Sequence, residues 1–124
     1  MLVHYLESFD FDVDNKVLQP SAAQPDKLFF VMVMADWCGH CKHAKPEVLK
    51  AAKELENNDK VLICFVNITG ETKEEKECKD VAPKFFDGFR GFPHLCIYKG
   101  GKEVSKQDSR KSEDIVKTIR NLMN

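Results

Sequence analysis

Two features that would direct a protein to a membrane or to nucleic acid are missing from this sequence. The longest uninterrupted apolar stretch, residues 28–35, has eight residues, whereas a membrane-spanning helix needs about 20. The 19 basic and 20 acidic side chains nearly cancel, giving a formal net charge of −1, so a polyanionic partner is not favoured. Neither a membrane nor a nucleic acid is therefore an expected partner.

The amino-terminal residues also lack the basic start and apolar segment of a secretory signal. On this basis we expect a protein that is not exported and that works in the cytoplasm. The five cysteines are an odd number with a single close pair, which does not suit a framework held together by disulfides. With 124 residues and 43% apolar content, the chain is expected to form one domain, residues 1–124, and to act as a monomer.

What the sequence does contain is a close pair of cysteines, Cys38 and Cys41, at the junction of two patterns. The apolar stretch before them carries no charge and predicts a strand buried on both faces. After them, from 42 to 56, apolar residues recur at helical spacing with charged residues between. The pair is therefore predicted at the first turn of a helix, where unpaired backbone N–H groups and the helix dipole favour a thiolate.

This position predicts redox chemistry. Residues three apart on a helix have Cβ atoms about 5–6 Å apart, close enough for a modest distortion to form a disulfide. Cys38, nearer the helix terminus, is expected to be the exposed nucleophile, and Cys41, one turn deeper, to resolve the mixed disulfide. Gly39 and His40 complete the candidate catalytic segment, and a protonated His40 would further stabilise the Cys38 thiolate. No metal and no cofactor beyond the redox-active pair are expected.

The remaining patterns alternate between strand and helix, which predicts an α/β layered fold. Strands are predicted at 3–6, 9–13, 60–68, 94–98 and 102–105. The last of these is expected to be an edge strand that follows a turn at Gly100 and Gly101. A charged surface helix is predicted at 71–86, and a final helix is predicted with Ser112 as its N-cap.

Several segments together resemble the thioredoxin superfamily, and most of all the catalytic domains of protein disulfide isomerases. The centre of the resemblance is Trp-Cys-Gly-His-Cys-Lys at 37–42. Further matching segments follow in order at 82–85, 89–93, 98–101 and 110–116. The resemblance extends over residues 28–124 and implies a thioredoxin-like fold, in which a central mixed β-sheet is flanked by helices. It also implies a thiol–disulfide oxidoreductase.

The resemblance implies the rest of the site as well. Pro93 is expected in the cis form facing the two thiols, where a backbone edge is free to pair with a substrate strand. Trp37, Phe92 and His94 are expected to line this groove. Arg110 matches an arginine that, in the isomerases, is thought to move near the second cysteine and lower its pKa. Cysteine-containing proteins are the implied substrates, and an unidentified redox donor or acceptor is the other partner.

Three positions depart from the family pattern, and about two extra residues lie around 86–88. Members carry a buried carboxylate six residues before the first cysteine and a buried lysine on a neighbouring strand, and here these positions are Met32 and Phe65. Loss of both is physically consistent, because either charge alone would be buried without a partner. The third departure is His94, where threonine usually follows the cis-proline. These departures bear on turnover and substrate preference rather than on the fold.

Other interpretations remain open at the level of the sequence. A Cys-x-x-Cys pair is often half of a zinc site, but Cys64, Cys78 and Cys96 do not provide the spacing of a second pair. Cys64 and Cys96 are expected to be core residues, whereas Cys78 is the candidate for a regulatory or dimer-forming thiol. The alternative function is a redox-inert module that binds a partner through the cis-proline groove. Because the cytosol keeps thiols reduced, an active enzyme there would be a reductant or would serve a local oxidative site such as virion assembly.

Overall fold

The computed structural model describes residues 3–123. The strands are β1 (Val3–Tyr5), β2 (Phe11–Asp12), β3 (Val17–Leu18), β4 (Leu28–Met34), β5 (Val61–Asn67), β6 (His94–Lys99) and β7 (Lys102–Lys106). The α-helices are α1 (Gln19–Ala23), α2 (Gly39–Glu54), α3 (Lys73–Phe85) and α4 (Ser112–Met123). No helix in this part of the chain is both long enough and apolar enough to cross a membrane.

Five of the strands form one mixed sheet in the order β1-β5-β4-β6-β7. The central strand β4 pairs in parallel with β5 and antiparallel with β6. Every residue of β4 and β5 is buried, which their uninterrupted apolar sequences predict. At one edge, β7 pairs antiparallel with β6 after the turn at Gly100 and Gly101, both of which have positive φ. The predicted order of strands along the chain and the predicted edge strand are confirmed.

Helices cover both faces of this sheet. On one face α2 and α4 pack against each other, and Lys45 of α2 lies over the ring of Phe65 in β5. On the other face α3 contacts β5, and Phe85 of α3 stacks on Tyr98 of β6 with ring centroids 5.8 Å apart. A mixed sheet flanked by helices is the architecture that the sequence predicted, and this fold class is confirmed.

Only part of the predicted strand at 9–13 is present. Residues 8–10 form a 3₁₀ turn that leaves Phe9 63% exposed, and only Phe11 enters the core, where it begins β2. The cause is local: the Asp10 carboxylate accepts a hydrogen bond from the backbone N–H of Glu7 at 2.8 Å. Such a side-chain contact closes a turn in competition with the extended backbone of a strand. The alternation of Phe and Asp therefore predicted the wrong local structure for residues 9 and 10.

The start of α4 also differs from the prediction. Ser112 is the first residue of the helix rather than its N-cap. Its backbone N–H donates to Oε1 of Glu47 in α2 at 2.9 Å. A carboxylate from a packed neighbouring helix therefore satisfies one of the first N–H groups, a contact between distant parts of the chain that local sequence cannot reveal.

Cys78 is not the accessible thiol that the sequence suggested. It is completely buried on the inner side of α3, and its Sγ donates to the carbonyl of Glu74 at 3.5 Å. Burial, with smaller contributions from nearby carboxylates, raises the pKa of Cys78 to about 12. A buried neutral thiol cannot form a dimer or react as a regulatory group in the folded protein. Cys64 and Cys96 are also fully buried, which confirms their assignment to the core.

Candidate active site

The thiol pair lies at the amino terminus of α2, where the sequence places it. Cys38 is the N-cap residue, with extended backbone angles of −83° and 115°, and Gly39 is the first helical residue. The backbone N–H of Cys41 donates to Sγ of Cys38 at 3.2 Å. An N-cap side chain normally satisfies a helix N–H in this way. Here the contact brings a hydrogen-bond donor and the positive end of the helix dipole to the Cys38 sulfur, an arrangement that stabilises a thiolate.

The two thiols differ in depth, but by less than predicted. Cys38 is 7% exposed and Cys41 is 1% exposed. The expectation that Cys38 is an exposed thiol is therefore wrong in degree, because its Sγ turns back to accept the Cys41 N–H. The neighbouring Gly39 faces open space: a Cβ added to it would meet no atom within 4 Å. His40, on the same first turn, is exposed.

Cys41 is held in its neutral form. Burial, followed by the hydrogen bond with Cys38, raises the pKa of Cys41 to about 12. A backbone hydrogen bond at Ala35 and the positive charge of Arg110 act in the opposite direction, with Arg110 the smallest of the contributions. Cys41 must therefore lose a proton before it can attack a disulfide, and Arg110 is positioned to favour that loss.

The predicted substrate groove lies at the same end of the sheet as the thiols. The Phe92–Pro93 peptide bond is cis, and His94 pairs with Val33 near the end of β4. The Trp37 ring, 66% exposed, meets the Phe92 ring edge to face with centroids 5.5 Å apart. The loop that carries the thiols and the segment that carries the proline are therefore in direct contact.

His94 is half-buried among aromatic rings. Its ring centroid lies 5.5 Å from those of both Phe86 and Phe89. Burial, together with the charge of Lys106, lowers the pKa of His94. A cavity of about 240 Å³ is lined by His94, Pro93 and Arg110 together. The structure thus gathers these three predicted site residues on one surface.

A polar network that the sequence analysis missed fixes the loop before the thiols. The backbone N–H of Asp36 donates to Oγ1 of Thr69 at 2.8 Å, and Nδ2 of Asn67 donates to Oδ1 of Asp36 at 3.2 Å. The Thr69 hydroxyl in turn donates to Oδ1 of Asn67 at 2.8 Å. The loop that leads to Cys38 is thereby tied to the end of β5. The only signal in the sequence was a polar Asn67 that ends an otherwise apolar strand.

The positions at which the family carries a buried carboxylate and a buried lysine lie next to each other in the sheet, as a charge pair would require. Met32 and Phe65 are register partners on β4 and β5, and neither has exposed surface. A cation approaches the pair from another element: Nζ of Lys45 lies 5.4 Å from the centroid of the Phe65 ring and 5.6 Å from that of Tyr5. The sequence analysis missed Lys45, although its position four residues after Cys41 puts it on the same helix face.

A cavity of about 390 Å³ joins Cys41 to this region. Its lining includes Ala35, Asp36, Cys41 and Lys45, with apolar walls from residues of β4 and α2. The arrangement at the helix terminus can therefore perform thiol chemistry with two sulfurs of different character: Cys38 accepts a hydrogen bond at the helix N-terminus, and Cys41 is kept protonated beneath it.

Comparisons with known proteins identify the family of this chain and support its fold. The thioredoxin family model matches residues 10–121. The thioredoxin-like protein 453L of Invertebrate iridescent virus 6 is 34% identical over 111 residues, which cover 82% of this chain and 79% of that protein. The protein disulfide-isomerase A4 of Bos taurus is also 34% identical, over 89 residues that cover 71% of this chain.

The chain corresponds to one part of that larger isomerase, because the match spans only 12% of the isomerase's length. The solution structure of the first thioredoxin domain of mouse protein disulfide-isomerase A4 superimposes with a TM-score of 0.62 at 29% identity. That superposition covers 97% of this chain and 74% of the mouse one. The comparisons therefore match the sequence resemblance in both fold and relatives.

Proposed function

This chain belongs to the thioredoxin family, and from that premise we propose that it is a thiol–disulfide oxidoreductase that acts on cysteine-containing proteins through Cys38 and Cys41. The observation that carries the proposal is the 3.2 Å hydrogen bond from the Cys41 N–H to the Cys38 Sγ at the N-cap of α2. A donor and a helix terminus at one sulfur are the conditions under which a cysteine becomes a nucleophile.

The proposed reaction has two steps. The Cys38 thiolate attacks a substrate disulfide and forms a mixed disulfide, and the first substrate sulfur leaves as a thiolate that takes up a proton. Cys41 then loses its proton and attacks Sγ of Cys38, which releases the second substrate sulfur. The substrate disulfide is reduced to two thiols, and Cys38 and Cys41 become a disulfide. In reverse, the same disulfide oxidises a substrate dithiol.

Residues around the pair support separate parts of this reaction. The exposed Trp37 and the Phe92–Pro93 segment offer the surface on which a substrate strand would lie beside Cys38. Arg110 favours loss of the proton from Cys41. The direction of net electron flow follows from the reduction potential relative to that of the compartment. We propose cytoplasmic reduction, with a local oxidative site such as virion assembly as the alternative setting.

The rate at which dithiothreitol reduces insulin, measured with and without the chain, tests the proposal. The wild-type chain is expected to accelerate insulin reduction, and Cys38→Ser is expected to abolish the acceleration. Cys78→Ala is the matched control, because this cysteine lies outside the site and should leave the rate unchanged. Absence of acceleration by the wild-type chain would instead support the redox-inert binding module.

A further inference from the structure

A second group of chemically reactive side chains lies between the last two strands. A ring nitrogen of His94, the Sγ of Cys96 and a carboxylate oxygen of Glu103 are all within 4.8 Å of one another. Alternation along β6 puts His94 and Cys96 on the same face of the sheet. A bulge at Ile97 and Tyr98 shifts the register so that Glu103 pairs with Tyr98, and this brings the carboxylate to that face as well.

The imidazole of His94 provides an independent observation. Its Nε2 atom is buried and has no hydrogen-bond partner among residues 3–123. A buried polar nitrogen without a partner is unfavourable, and such exceptions in folded proteins call for an explanation, of which an ion is one. The neighbouring rings of Phe86 and Phe89 offer no acceptor for it.

We propose that His94, Cys96 and Glu103 form a Zn²⁺-binding site. One imidazole nitrogen, one thiolate and one carboxylate are the three kinds of side chain that zinc binds in proteins. Mg²⁺ and Ca²⁺ are not matched by this set, because they prefer oxygen ligands alone. Three protein ligands leave the fourth tetrahedral position to water or to an added ligand.

Binding requires two exchanges. The Cys96 thiol gives its proton to solvent as its sulfur bonds to the metal. The Glu103 carboxylate exchanges one cation for another: Nζ of Lys106 now lies 2.9 Å from its Oε2. The Lys106 side chain is 47% exposed and its Nζ also donates to the carbonyl of Asp87 at 2.7 Å, so the ammonium group keeps a partner when Glu103 turns to the metal.

The site would connect the edge strand to the substrate groove. His94 directly follows Pro93, and both line the cavity of about 240 Å³ that also reaches Lys106. A bound Zn²⁺ would fix the His94 ring beside the groove and link β7 to β6. Only this effect on the groove rests on the proposed function, whereas the metal site itself does not.

Cobalt titration of the full chain tests the site. The background is Cys38→Ser with Cys41→Ser, which removes the two other thiols able to bind a metal near the surface and makes the result independent of redox activity. One equivalent of Co²⁺ is expected to give a thiolate-to-cobalt charge-transfer band and the intense d–d bands of a tetrahedral site. Zn²⁺ is expected to displace the cobalt, with release of a proton on binding of either metal.

Variants in that background assign the ligands. Cys96→Ala is expected to abolish the charge-transfer band, and His94→Thr and Glu103→Gln are each expected to weaken Co²⁺ binding at least about tenfold, since even outer-shell partners contribute that much. Cys64→Ala, the matched control at another buried cysteine, should leave the band unchanged. Lys106→Gln should tighten binding, because the metal no longer competes with an ammonium group for Glu103.

Three results would overturn the site. They are the absence of a charge-transfer band in the double-serine background, its persistence in Cys96→Ala, and its loss in the Cys64→Ala control. If Cys96→Ala does not fold, the variants at His94 and Glu103 decide the question, because both residues are only partly buried. Unchanged Co²⁺ affinity in both of these variants would then exclude the site.

Discussion

Restoring the missing charges at Met32 and Phe65 tests how this core has adapted. The two residues are register partners on adjacent strands, and neither is exposed. Met32→Glu places a carboxylate in the core opposite the Phe65 ring. A buried charge left without its partner costs about 3–5 kcal/mol, so we expect unfolding free energy to fall by that order at pH 7, or the introduced acid to stay protonated.

Phe65→Lys is expected to be costly for a different reason. It removes a ring that contacts Tyr5 at 5.5 Å between centroids and puts a second cation beside Lys45, whose Nζ lies 5.4 Å from that ring. Truncation of a core phenylalanine typically costs about 3–5 kcal/mol. In the double variant the new carboxylate and ammonium face each other. The combined cost should therefore fall below the sum of the single costs by about 0.5–3 kcal/mol.

Urea denaturation of the four proteins in this cycle measures the interaction directly. The pH dependence supplies a second reading. Burial raises the folded-state pKa of the introduced carboxyl above its unfolded value of about 4.3. The penalty is therefore largest above the folded-state pKa, decreases as the pH falls through it, and is absent below the unfolded pKa. Met32→Gln, which carries no charge, is the control and should show no such dependence. Strict additivity in the cycle would refute the pairing of these two positions.

The remaining predictions concern the thiols. Cys41→Ala is expected to accumulate a mixed disulfide with substrate protein, since resolution is lost, whereas Cys38→Ala should trap none. Non-reducing gels distinguish the two variants, and equal trapping by both would contradict the assigned roles. Arg110→Ala is expected to slow the attack by Cys41 and not the first attack by Cys38, because Arg110 lowers the pKa of Cys41. Rapid-mixing kinetics measure the two rates, with the exposed Arg90→Ala as control. Equal slowing of both steps would argue against this role of Arg110. His40→Pro is expected to lower the reduction potential from the isomerase end of the roughly 90 mV range towards thioredoxin. Equilibration with glutathione measures the shift, and an unchanged potential would exclude a role for His40.

Local sequence determined the parts of this protein that depend on periodicity and on chain neighbours. The uncharged run at 28–34 predicted a strand buried on both faces, and the helical spacing after Cys41 put the thiol pair at a helix terminus. The glycines at 100 and 101 marked the hairpin before the edge strand. These features rest on contacts within a few residues along the chain, so the sequence carries them directly.

The tertiary structure decided what depends on residues distant in sequence. Glu47 takes the place of a local cap for α4, and packing against the sheet buries Cys78 on a helix that looked like a charged surface element. The approach of Lys45 to Phe65, the link from Asp36 to Thr69 and the meeting of His94 with Glu103 all join different elements. No pattern along the chain contains these distances, because they are fixed only when the strands find their register and the helices pack on the sheet.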